Sequence, residues 1–274
     1  MTEWTLSGFG DEIDPEPAVQ LAVLSALGAK HIEVRSAWGT NIVEMSDVQL
    51  HTLSDAIAER GMAVSAIASP VGKADVTSDD GGELARLRAA VSAARRLGSR
   101  YIRIFSFYRP AGMAAAEIRD AVLARMRAFA ALAEDSGVVL LHENEKNIYG
   151  DVPERIIDIL ETVDSPALRV AWDSANFVQV GVRPYDDGYA LLRPHIDYLQ
   201  VKDALMTTGE VVPAGDGDGQ LRQTLTALRD DGYAGFASLE PHLFIQHGLS
   251  GPAQFGRAAR AFAQLTTSIG VDLQ

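Results

Sequence analysis

Apolar runs and helical patterns alternate along this chain from end to end, and several of the runs stop abruptly on a carboxylate. Gly137-Val138-Val139-Leu140-Leu141 passes into His142-Glu143-Asn144-Glu145-Lys146. Arg169-Val170-Ala171-Trp172 ends in Asp173, Ile196-Asp197-Tyr198-Leu199 runs into Gln200-Val201-Lys202-Asp203, and Phe236-Ala237-Ser238-Leu239 ends in Glu240. Short apolar runs bounded by Gly and by a polar cluster read as buried strands. The other strands read from Trp4 to Phe9, His31 to Arg35, Ala63 to Ala68 and Tyr101 to Phe105. Helical patterns separate them: Pro15 and Pro17 to Gly28, Ser46-Asp47 to about Arg60, Leu84 to Leu97, Ala114 to Ser136, Val152 to Val163, Tyr185 to Leu192, Gln220 to Asp231, and Pro252 to about Ile269.

Eight strand–helix units of roughly 25 to 40 residues each predict a closed (β/α)8 TIM barrel. The rival is an open doubly wound sheet. The first strand turn, Gly8-Phe9-Gly10-Asp11, is not the Gly-x-Gly-x-x-Gly phosphate loop that such a sheet favours. No linker or composition change divides the 274 residues, and 47% hydrophobic content suffices for one core, so a single domain over 1–274 is expected. A net charge of -13 disfavours nucleic acid and anionic membranes as partners. With no cysteine, disulfides and thiolate metal sites are excluded. That composition fits a reducing cytoplasm. The start shows no signal peptide, and no run approaches the roughly 18 apolar residues of a membrane span.

In a parallel barrel, strand ends share one face, so Glu143, Asp173, Gln200 and Glu240 converge. Three carboxylates and one amide oxygen form a donor set for a hard divalent cation, Mg²⁺ or Mn²⁺, and His242 would add a nitrogen nearby. Such a cation polarises a carbonyl and favours proton transfer beside it. Around this centre, Lys202 shares the face of Gln200, and Glu145 shares that of Glu143. The competing reading of Lys202 is a surface pair with Asp203. Arg35 and Arg103 read as structural ion-pair partners. Trp38 and Phe107 read as packed rather than ligand-covering, and His142 as facing the helical layer. For an anionic group on the substrate, Pro70-Val71-Gly72-Lys73 is the nearest candidate nest.

The segments Glu143-Asn144, Asp173-Ser174-Ala175-Asn176, Gln200-Val201-Lys202-Asp203 and Ser238-Leu239-Glu240-Pro241 resemble the motifs of the xylose isomerase-like TIM-barrel superfamily of sugar (phosphate) isomerases and epimerases. The Gly215-Asp216-Gly217 and Gly232-Tyr233-Ala234-Gly235 segments match as well, whereas the first half matches only in rhythm. The resemblance implies one divalent metal held by Glu143, Asp173, Gln200 and Glu240. It also implies Glu143 and Glu240 on opposite faces of a small carbohydrate, one removing a proton and the other returning one. Asn176, Lys202, His242 and Glu145 are the expected substrate contacts. Two positions depart from the pattern: Gln200 stands where a His is usual, and Asn176 likewise. The expected activity is isomerisation or epimerisation of a small sugar or polyol-derived ketone. Dehydration of an inosose-type substrate on the same site and a non-catalytic sugar-binding barrel are the alternatives. Dimers and tetramers are common in that superfamily, so a homo-oligomer is compatible with it.

Overall fold

The computed structural model describes residues 2–78, 80–243 and 251–274. Eight parallel strands ring an interior: β1 (Thr2–Gly8), β2 (His31–Val34), β3 (Ala63–Ala68), β4 (Tyr101–Ile104), β5 (Val139–Glu143), β6 (Leu168–Asp173), β7 (Ile196–Val201) and β8 (Phe236–Leu239). Between and after them run α1 (Pro17–Ala26), α2 (Asp47–Glu59), α3 (Asp80–Leu97), α4 (Ala115–Ser136), α5 (Pro153–Val163), the short α6 (Ser174–Val178), α7 (Leu221–Asp230) and α8 (Gly251–Ser268). An irregular helical run from Pro184 to His195 occupies the place of the expected Tyr185–Leu192 helix.

A ninth strand, β9 (Val271–Leu273), was not expected from the sequence. Three residues after Gly270, it gives too short a signal to read. It pairs with the beginning of β1 at Thr2, Glu3 and Trp4, while the later part of β1 pairs with β8. The ring closes on the other side through the parallel bridge Phe9–Glu33, between the ends of β1 and β2. The chain's last strand thus covers backbone that β1 would otherwise leave unpaired at the base.

Local rules explain the elements. In α4, Ile118, Val122, Met126, Phe129 and Ala133 are buried at helical spacing, and Gly137 ends the helix in the left-handed conformation with φ 70°. Ser46 and Gln49 form a reciprocal capping box on α2. Strand parity then sorts the side chains into two cores. Ala66, Val139, Leu141, Ala171 and Tyr198 pack inside the barrel. Leu140, Val170, Trp172, Leu199 and Val201, their neighbours in the chain, face the helices. Trp172 is fully buried there against Phe177 and Tyr189, with ring centroids 5.0 and 6.1 Å away. Burial of such a side chain contributes roughly 1.5–3 kcal/mol. His142 joins this outer layer, buried with neither ring nitrogen bonded, and burial pushes its imidazole down to about 3.

Candidate metal and proton-transfer site

Because parity alternates, Glu143, Asp173, Gln200 and Lys202 all emerge on the inner face at the C-terminal end of the ring, and Glu240 follows directly after β8. Carboxylate oxygens of Glu143, Asp173 and Glu240 lie within 4.8 Å of one another. One end of the Gln200 amide lies 3.1 and 3.0 Å from the two Glu143 oxygens. All four side chains are nearly inaccessible. The four residues predicted to converge do so. Asn144, which the sequence reading did not single out, ties the strand ends together: its Nδ2 donates to the Asp173 carbonyl at 2.8 Å, and the Asp173 N–H donates back to its Oδ1 at 3.1 Å.

Cations balance these carboxylates from several strands. Lys202 Nζ lies 2.9 Å from both Asp173 Oδ2 and Glu240 Oε2. Arg103, on β4, pairs with Glu143 at 3.2 Å. Arg35, just past β2, reaches Glu240 Oε1 at 2.9 Å, Asp11 at 2.8 Å and Glu12 at 3.5 Å. His242 Nε2 lies 2.9 Å from Glu12 and 3.4 Å from Glu240. The ion-pair reading of Arg35 and Arg103 therefore holds.

Charge state follows from these neighbours. Burial raises the Glu143 carboxyl; Arg103 and Lys202 oppose the rise, while Glu240 and Asp173 add to it. Burial likewise raises Asp173 against the pull of Lys202. For Glu240, burial acts upward too, but Lys202, His242 and Arg35 outweigh it and hold the carboxyl well below its usual range. Burial would lower the His242 imidazole, yet Glu240 and Glu12 lift it to about 9. Lys202 is held well above its usual value by Asp173, Glu240 and Glu143, despite burial.

The remaining predicted residues fall into place unevenly. Asn176 enters the site: its Nδ2 donates to Glu143 Oε1 at 2.9 Å, and its N–H donates to Asp173 Oδ1 at 2.9 Å, capping α6. Glu145 stays at the rim, paired with Lys73 at 3.0 Å, so Glu143 and not Glu145 joins the carboxylate cluster. The surface pair Lys202–Asp203 does not form. Asp203 instead accepts N–H bonds from Gly215, Gly217 and Gly219 at 2.9, 3.1 and 2.9 Å. A Cβ on Gly217 or Gly219 would stand 2.5 Å from Asp203 Oδ1, which explains why this loop needs glycine there. The Pro70–Lys73 turn is no open anion nest, since the Gly72 N–H already donates to Glu83 Oε2 at 2.6 Å. Phe107 is packed on Phe129, and neither it nor Trp38 lines the cavity over the carboxylates.

That cavity offers about 110 Å³ and is lined by Arg35, Lys73, Arg103, Glu143, Lys202, Glu240 and His242, among others. A small, polar, hydroxyl-rich ligand suits it better than a large apolar one. The donor set fits a hard divalent cation: three carboxylates, plus an amide whose oxygen can face the same point.

Residues 21–264 match the xylose isomerase-like TIM barrel family, and the chain belongs to it. Among curated proteins it is 29% identical, over 236 residues, to the 2-epi-5-epi-valiolone 7-phosphate 2-epimerase of an Actinoplanes species, covering 84% of this chain and 81% of the relative. Among solved structures it resembles a zinc-bound IOLI protein (TM-score 0.79, 16% identity, 98% of this chain and 99% of that one). A D-tagatose 3-epimerase-like protein has a TM-score of 0.78 at 16% identity, over 98% of both chains. A xylose isomerase-like TIM barrel protein of Mycobacterium smegmatis, solved with magnesium, has a TM-score of 0.72 at 17% identity, again over 98% of both. At these identities the solved structures establish the fold. No helix among the described residues is long and apolar enough to cross a membrane.

Proposed function

We propose that this chain, working as one barrel domain, is a divalent-metal-dependent isomerase or epimerase of a small sugar or polyol-derived ketone. The observation that carries the reading is the meeting of Glu143, Asp173 and Glu240 within 4.8 Å, with the Gln200 amide beside them. The activity named for the Actinoplanes relative, a 2-epimerase, supports epimerisation. Glu143, Asp173, Gln200 and Glu240 are the residues that would hold Mn²⁺ or Mg²⁺. The bound cation would supply polarisation of a substrate carbonyl.

The chain's own groups do the rest. Glu143 and Glu240 form the pair that removes a proton α to the carbonyl and returns one. Arg103 fixes Glu143, while Arg35 and Lys202 fix Glu240, so both carboxylates are held before substrate arrives. Lys202, His242 and, at the rim, Glu145 line the cavity and are the groups proposed to meet substrate hydroxyls. Asn176, expected as a substrate contact, lies outside the cavity lining; its Nδ2 donates to Glu143 Oε1 and the Asn144 carbonyl, and it would act through Glu143. Deuterium exchange in heavy water, with Mn²⁺ and a panel of ketoses and cyclic polyol ketones, tests the reading. Exchange with stereochemical inversion supports epimerisation, and exchange with loss of water points to a dehydratase. No exchange, together with no calorimetric uptake of Mn²⁺ or Mg²⁺, would leave a sugar-binding barrel.

A further inference from the structure

One buried carboxylate lies beneath the site and is not used by the chemistry above. Glu33, on β2, is 0% exposed. Strand pairing is offset where it sits: Ile32 pairs with Val64, but Glu33 pairs with Ala66, one residue being skipped on β3. Such offsets re-aim side chains near functional sites. Here the Glu33 carboxylate is turned inward. Its Oε2 accepts the Tyr198 hydroxyl at 2.9 Å, and that hydroxyl also meets Ser65 Oγ at 2.9 Å. Its Oε1 lies 3.4 Å from Gln200 Nε2.

The Gln200 amide therefore stands between two carboxylates, Glu33 on one side and Glu143 on the other. An amide has one donating end and one accepting end. With Nε2 turned to Glu143, it donates to both oxygens at 3.1 and 3.0 Å, and the end that faces the strand-end cluster cannot coordinate a cation. With Nε2 turned to Glu33, the carbonyl oxygen faces the cluster. We propose that Glu33 is a positioning residue that holds Gln200 in the second orientation and so makes it an oxygen ligand. A metal-bound His needs the same service, a carboxylate or carbonyl taking its second N–H. Glu33 performs it for the amide that stands in this chain at the strand-seven position. The inference rests on the metal reading of the site.

Calorimetric titration with Mn²⁺ alone tests it. The proteins are wild type, Glu33→Leu, Glu33→Gln, Gln200→Ala and the double variants Glu33→Leu/Gln200→Ala and Glu33→Gln/Gln200→Ala. Glu33→Leu is expected to weaken Mn²⁺ binding about 10–100-fold. Glu33→Gln keeps an accepting oxygen and should lose less. In the Gln200→Ala background neither change should matter, because no amide remains to be oriented. If Glu33→Leu does not fold, the Glu33→Gln pair carries the same comparison. Equal weakening in both backgrounds would mark a general structural role and overturn the proposal, as would unchanged affinity with Gln200 present. Wild-type protein that takes up Mn²⁺ but exchanges no substrate proton sinks the isomerase reading and leaves this one standing. Wild type without Mn²⁺ uptake sinks both.

Discussion

The two halves of this barrel carry opposite chemistry. Strands β5 to β8 lead to Glu143, Asp173, Gln200 and Glu240, the oxygen-bearing side chains. Strands β2 to β4 deliver Arg35, Lys73 and Arg103, each ion-paired with a carboxylate at the mouth. The chain's net charge of -13 gives no hint of this division. What the contrast teaches is that the first half is no passive scaffold. Buried carboxylates gathered this closely repel one another and resist ionisation. Cations brought from the opposite arc let the cluster exist, and Lys202 in the second half completes the balance. Arg103 shows how its charge is kept close: it is buried at 4% exposure and lies over the Phe105 ring at 4.5 Å.

The largest expected effects fall on the oxygen-bearing half. Glu240→Gln and Glu143→Gln should each cut substrate proton exchange by roughly 10²–10⁴-fold, the usual worth of a positioned acid or base. Stripping the protein with a chelator should abolish exchange, and Mn²⁺ should restore it. Full activity in Glu240→Gln would break the contrast at its strongest point. Next comes Arg103→Leu. It leaves Glu143 buried without its partner, and breaking a buried pair this way costs about 3–5 kcal/mol of stability. Denaturant unfolding measures the loss. Added Mn²⁺ should return part of it, because a cation would take over the neutralisation; a loss unchanged by Mn²⁺ would argue against Glu143 as a ligand.

The second half was the more legible in sequence for a physical reason. An apolar run that halts on Asp173 or Glu240 announces a strand end, and parallel topology puts all such ends on one face. Lys202 could be placed on the inner face by parity alone, though its burial between Asp173 and Glu240 could not. Glu33 left no signal. In His31-Ile32-Glu33-Val34-Arg35 it looks like the polar position of a half-exposed strand, and only the offset against β3 reveals that it is buried. The Asp203 nest was missed because three of its four N–H donors lie 12 to 16 residues downstream. His142 was readable because the residue next to a site-facing Glu143 must point to the other layer.

A smaller effect, read through pH, separates the exposed arginine from the buried one. Arg35 is 28% exposed at its side chain, so solvent screens its pairs more than those of Arg103. Glu240 has a depressed pKa in the folded chain. Its ion pairs therefore contribute fully above its ordinary value of 4.5, and that contribution fades as pH falls below it. Arg35→Ala removes one of the three cations that depress it. The acid limb of the stability curve should then move to higher pH, with a modest change at neutral pH. Thermal melts from pH 3 to 7 would show this, and an acid limb identical to wild type would remove Arg35 from the balance.

The smallest effect belongs at the rim. Lys73 and Glu145 pair at 3.0 Å, with the lysine side chain 33% exposed and its ammonium 4.2 Å from the Phe105 ring centre. A half-buried pair at a solvent-facing rim lies near the surface range of about 0–1 kcal/mol. Lys73→Met, which keeps the apolar stem over Phe105, should therefore leave stability within that margin. Its use is as a discriminator. If the first half only neutralises the inner carboxylates, Lys73→Met leaves Mn²⁺ affinity and proton exchange near wild type, because Glu145 sits outside the cluster. A rise in KM with kcat intact would instead show that the cationic arc also holds substrate at the mouth. The contrast between the halves would then be one of inner ligands against outer binding groups, not of anions against their counter-charges.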